Sequence, residues 1–277
     1  MIVRFLLTAT LANLAATVPS MAGSIPTVVP MLQTGYHQMY DLEFDRAHKT
    51  FGEWERQRPD DPLGHVSNAA AYLFAEFDRL NILQSEFFVN DDRFRHARRL
   101  NPDLAVRRSF DMELAKAEEL ANGILTRSPQ DADALFATIL TMGLRADYQA
   151  LIEKRYLDSL RVIKNSRATA EKLLAISPNY YDAYLAIGVE NYMLSLKAAP
   201  VRWLLELGGA QVDRERGIQD LRLTAEKGHY LSPYARLLLA VAALRSKDQA
   251  QARQLLTALV REFPHNKLYS EELARLQ

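Results

Sequence analysis

The chain has 277 residues, 48% of them apolar, which is enough to bury a sizeable core. Its 34 Lys and Arg balance 34 Asp and Glu, so the total charge gives no reason to expect nucleic acid or an acidic membrane surface as a partner. There is no cysteine, which excludes disulfides, thiolate catalysis and attachment through a lipidated cysteine.

Residues 1–22 read as a targeting segment. Arg4 supplies the positive start, Phe5 to Val18 the apolar stretch, and Ser20, Met21 and Ala22 a small-x-small cleavage site. The stretch is shorter than the roughly 20 apolar residues that span a bilayer. Cleavage after Ala22 would leave residues 23–277 as a single soluble domain. The expectation is an exported, periplasmic protein that is not a lipoprotein.

The remainder is rich in Ala, Leu, Glu, Arg and Gln and has no useful run of alternating β-branched residues, so the fold class is all-α. In chain order, a first helix pair is expected over 28–61, with Gly35 in its first helix and Ala47, Phe51 and Trp54 in its second. The second pair, over 62–131, has a helix at about 62–77 carrying Ala69 and Tyr72. A long insertion from Asp78 to Phe110 follows, and then a helix at about 109–127. The third pair, 132–180, ends near Ile176, and its second helix takes up the extra length. The fourth pair, 181–232, carries Tyr184, Ile187 and Gly188, then an insertion from Lys197 to Asp213 broken by Pro200, Gly208 and Gly209. The fifth, 233–266, carries Ala240, Ala252, Leu256 and Leu259. A closing helix, Tyr269 to Leu276 within 267–277, caps the array.

One spacing recurs through these pairs. An alanine stands twelve residues before a proline three times: Ala47 to Pro59, Ala117 to Pro129 and Ala252 to Pro264. A fourth copy ending at Pro178 carries Ser166, Ala170 and Leu173. Small residues at Gly35, Ala69, Gly188 and Ala240 let one helix approach its partner closely. The proline ends the second helix because the residue before it is pushed out of the α region. The turns after Pro129, Pro178 and Pro264 offer Asp131, Asn179 and Asn266 as caps for the next helix.

This pattern resembles the tetratricopeptide repeat, with residues 28 to 266 covered in degenerate form. The resemblance implies a right-handed solenoid of about five helical hairpins that presents a binding surface rather than a catalytic pocket. It also implies which residues face the groove: Leu63, Val66, Ala70 and Leu73; then Asp182, Leu185, Val189 and Tyr192; then Tyr234, Leu237, Val241 and Leu244. Most are apolar. Two accounts stay open, a groove closed into core or a groove that receives an apolar peptide or lipid. Leu185, Val189 and Tyr192 are its candidate binding residues.

Two insertions add candidates. Trp203, within Val201 to Leu207, is expected to fold back over the groove, or else to project as an apolar partner-binding patch. Arg95, Arg98 and Arg99, with Arg93, His96, Arg107 and Arg108, form a basic cluster. It would either hold an anionic group or pair with neighbouring carboxylates on a solvated helix. Catalytic signals are weak: no paired-histidine metal motif, nucleophile elbow or phosphate loop occurs, and Glu113, Glu118 and Glu119 read as a solvated face. The sequence reading is therefore a non-enzymatic protein-binding or assembly scaffold with no cofactor, metal or nucleic acid. A carrier enclosing a lipid or other apolar ligand is the alternative.

Overall fold

The computed structural model describes residues 28–83, 100–195 and 213–276, and every regular element within them is helical. Five hairpins follow one another along the chain. They are α1 (Pro30–Tyr40) with α2 (Phe44–Gln57), α3 (Pro62–Leu80) with α4 (Leu104–Arg127), and α5 (Ala132–Asp147) with α6 (Tyr156–Ile176). Then come α7 (Tyr184–Ser195) with α8 (Arg214–Lys227), α9 (Ser232–Arg245) with α10 (Gln249–Glu262), and a last helix α11 (Lys267–Ala274). Each helix packs on the next along the chain, and α3 also touches α1 and α5. Among the described residues no helix is long and apolar enough to cross a membrane.

Local chemistry sets the boundaries. The residues before the four prolines, Arg58, Ser128, Ser177 and Phe263, share one conformation, with φ/ψ of −134/68, −135/81, −137/76 and −126/73°. Each still donates its N–H back four residues, to Trp54, Ile124, Leu173 and Leu259. Proline sterics hold the residue before it extended, so the helix stops there. The next helix is capped by Asp61 accepting from Leu63 N, Asp131 from Ala134 N, and Asn266 from Leu268 N. Asn179 does not cap: a 3-10 turn at Tyr181–Ala183 intervenes before α7.

Several helices differ from expectation at their ends. Helix α4 starts at Leu104, because Asp103 caps it by accepting from the Ala105 and Val106 N–H groups. The extra length of the third hairpin goes partly into a π-helical turn at Tyr148–Ile152, and Lys154, with φ of 61°, then redirects the chain into α6.

Glycines set the close crossings. A Cβ at Gly35 would lie 2.3 Å from the Phe51 ring, so α1 rests directly on that side chain. Gly188 of α7 and Gly217 of α8 face each other: a Cβ at Gly188 would sit 3.0 Å from the Gly217 carbonyl oxygen and the Leu221 N. Backbone atoms cannot rotate aside. Gly188→Leu is therefore expected to cost about 1–3 kcal/mol by overpacking. Chemical denaturation measures it, and an unchanged midpoint would contradict the crossing.

The first helices of the hairpins turn aromatic residues into a shared interior. Tyr36 of α1 meets Tyr230 at 5.2 Å, Phe136 of α5 meets Tyr180 at 4.8 Å, and Phe74 of α3 meets Tyr234 of α9 at 5.5 Å. The chain ends also meet. The Tyr230 hydroxyl accepts from Val29 N, Tyr40 packs 5.9 Å from Phe263, and Asn266 Nδ2 donates to the Tyr40 carbonyl. Asp41 accepts from both the backbone N and Nδ1 of His265, at 2.9 and 2.7 Å. So α1 lies against the last hairpin rather than at an open end.

Burial of Asp147, which accepts from the Tyr234 hydroxyl at 3.4 Å, pushes its carboxyl up to about 7. Its unfolded value lies near 3.9, so keeping it ionised in the fold costs stability. The cost grows as pH rises from about 4 to 7 and is constant above that. Asp147→Asn should gain stability relative to the natural chain over that window, on the order of 1–3 kcal/mol by pH 8. Melting curves across pH check this, and a pH-independent difference would contradict it.

Candidate functional site

The residues expected to line a groove are mostly interior. Leu63, Val66, Ala70, Leu73, Leu237 and Val241 are buried, while Tyr234 and Leu244 are half-buried. Tyr192 is buried with Leu221, Leu239 and Ala242 in a small core between α7, α8 and α9, and Leu185 and Val189 pack on its edge. Asp182 does not face a groove either. It is buried, and its carboxylate accepts from three consecutive backbone N–H groups, His229, Tyr230 and Leu231, at 2.8–3.1 Å. That cage fixes the turn before α9. Where groove side chains were expected, most of the described positions hold core.

Trp203, Arg95, Arg98 and Arg99 lie outside the described residues, as do Arg93 and His96. Two further members of the basic cluster are described. Arg107 pairs with Glu153 at 2.8 Å and lies over the Tyr148 ring at 5.4 Å, which is the arrangement of an arginine on a solvated helix. Arg108 is exposed.

Beside Tyr192 lies a buried polar group. Arg167 of α6 donates Nη1 to Asn191 Oδ1 at 3.0 Å and Nε to Glu171 at 2.9 Å, with Glu190 at 3.5 Å. Asp220 of α8 is buried nearby, and burial pushes its carboxyl up to about 6 against the pull of Arg216 and Arg167. The Arg167 contacts tie α6 to α7.

A second constellation spans the first two hairpins. His65 Nδ1 on α3 is 2.7 Å from Glu113 Oε2 on α4 and 3.8 Å from Glu55 Oε1 on α2. Asn68, one turn after His65, donates Nδ2 to both Glu55 Oε1 and Glu113 Oε1 at 3.0 Å. Its Oδ1 is 2.6 Å from His48 Nδ1, and the His48 ring lies tilted against Tyr72 with centroids 4.0 Å apart. Gly64 lets this happen: a Cβ there would touch Glu55 Cγ at 3.0 Å, so α2 can bring its carboxylate onto α3. Burial, and then the neighbouring Glu113, raise the Glu55 carboxyl, while the hydrogen bond to Glu113 raises the His65 imidazole.

The chain matches no family model and no curated protein. The site's chemistry therefore rests on its own geometry.

Glu113 departs from the expected solvated face, since its side chain is only 19% exposed and held by two partners. Its helix neighbour Glu118 does face solvent, paired with Arg145. The sequence carried half of the signal: His48 and Glu55 share one face of α2 at seven residues' spacing, and His65 and Asn68 share one face of α3. Glu113 joins them only after the long insertion, so no local motif announces it. A second mixed group, Asp41, Glu43 and His265, is engaged otherwise: Asp41 holds His265 with both oxygens, and Glu43 pairs with Arg46.

Proposed function

We propose that the protein is an exported, non-enzymatic scaffold of the tetratricopeptide-like class that binds or assembles another protein. The single observation that supports it most is the repeated hairpin end. Four helices stop at the same proline spacing with nearly the same backbone angles, as successive copies of one repeat unit would. A chain built from such units offers a long outer surface. Because the described inner positions are packed with the chain's own aromatics, the partner meets the outer helix faces and insertions. Residues 1–22 would direct export and be removed with it, so the mature chain would begin at Gly23.

The apolar-ligand alternative would need one apolar cleft to widen. A narrow cleft of about 30 Å³, room for a water or two, lies between α1, α3 and α11, with Met39, Phe74, Phe77, Leu83, Leu268 and Tyr269 among its walls. Lys267 and Asp78 stand at its rim, 4.0 Å apart.

Native mass spectrometry of protein purified from its own host separates the two readings. The scaffold predicts a stoichiometric protein partner and a chain starting at Gly23. A retained apolar small molecule in place of a protein would favour the carrier.

A further inference from the structure

We propose that Glu55, His65 and Glu113 bind a first-row divalent cation, with zinc the best fit, which ties α2, α3 and α4 together. Three observations carry this. One imidazole nitrogen and two carboxylate oxygens, each from a different helix, lie within 4.8 Å of one another. Ligands around a shared zinc at about 2.0–2.2 Å stand roughly 3–4 Å apart, so the measured 2.7 and 3.8 Å separations need only small side-chain shifts. A mixed N/O set suits zinc and its neighbours rather than calcium or magnesium.

The surroundings are also those of a metal site. The Asn68 amide holds one oxygen of each glutamate, and His48 orients that amide from behind, which is the outer-shell support metal ligands receive. The three side chains keep 17–19% exposure, so a cation can enter and a water can complete the coordination. Two carboxylates facing one imidazole leave surplus negative charge. Arg56 and Lys116 stand at the edge and act on it more weakly than the members of the cluster act on each other. On binding, Nδ1 of His65 gives up its proton and presents its lone pair, leaving a neutral ring with its proton on Nε2, and Glu113 Oε2 changes from hydrogen-bond acceptor to ligand. The group at Asp41 lacks these features: Asp41 Oδ1 is held by the His265 backbone N–H, and the His265 side chain is exposed.

The test uses the full mature chain, free of any tag and stripped of metal, titrated with zinc chloride. The expected result is one zinc per chain retained through dialysis, with a rise in melting temperature. Both should be lost in His65→Ala and Glu55→Gln, while His265→Ala keeps them. Asn68→Ala should weaken binding by about tenfold or more. Cobalt(II) added to the unaltered protein gives a reading that does not depend on variants folding: a visible absorption band that zinc displaces is expected. No retained zinc and no cobalt band would overturn the proposal, as would zinc binding that survives His65→Ala or is lost in His265→Ala.

Discussion

Phe263→Ala should destabilise the protein by about 3–5 kcal/mol, the range for deleting a fully buried aromatic ring. Phe263 is 1% exposed, and its ring sits among His37 and Tyr40 of α1 and Tyr269 of α11. The cavity would open where the two ends of the chain meet, and the site cannot collapse without moving α1. The loss should therefore be shared. Hydrogen exchange in α1 is expected to speed up along with exchange in α10, although the two are far apart in sequence. Chemical denaturation gives the magnitude. A loss below about 1 kcal/mol, or exchange that changes only in α10, would mean that the ends do not support one another.

Asp182→Ala is expected to cost a similar amount, about 3–5 kcal/mol, for a different reason. The side chain is buried and accepts from three backbone N–H groups at once. Removing it strands those donors, and an unsatisfied buried donor costs about 1–3 kcal/mol. Both oxygens are used, Oδ1 by Tyr230 and Leu231 and Oδ2 by His229. Asp182→Asn keeps a carbonyl oxygen for Tyr230 and Leu231 and loses the acceptor for His229, so it should fall between the natural chain and alanine. Urea denaturation of the three proteins side by side checks the order. Alanine and asparagine variants of equal stability would contradict the cage.

Both residues show where sequence reading reaches its limit. The hairpin ends were legible because their cause is local: a proline acts on the residue before it, and alanine, apolar and proline positions recur at helical spacing. The close approach at Gly188 was legible too, since only a small residue suits that place. What one side chain meets across the fold was not. Phe263 reads as a turn residue before Pro264, yet it is core because α1 folds onto it. Asp182 reads as a groove residue by repeat position, but the turn at 229–231 takes up its carboxylate. Glu113 reads as solvated on its own helix, and becomes part of a cluster only because α2 and α3 approach α4.

The groove shows the same limit on a larger scale. An apolar first-helix face fits an open groove and a closed interior equally well. The difference is whether the opposite hairpins come close enough for Tyr36 to touch Tyr230 and for Phe74 to touch Tyr234. That depends on the summed curvature of five hairpins, which no single repeat encodes.

The filled interior and the closure of α1 onto the last hairpin set the distance between the two ends of the helical array. Because the chain has no cysteine, spin labels can be placed uniquely at Asp45→Cys and Ser270→Cys, both exposed positions next to the contact of Asp41 with His265. Five hairpins stacked at roughly 10 Å apiece in an open array would part the ends by roughly 40 Å. Pulsed dipolar spectroscopy on the doubly labelled protein should give a single narrow distribution well below that separation. A dominant population at the open-array distance, or a broad spread reaching it, would contradict the closure of α1 onto the last hairpin.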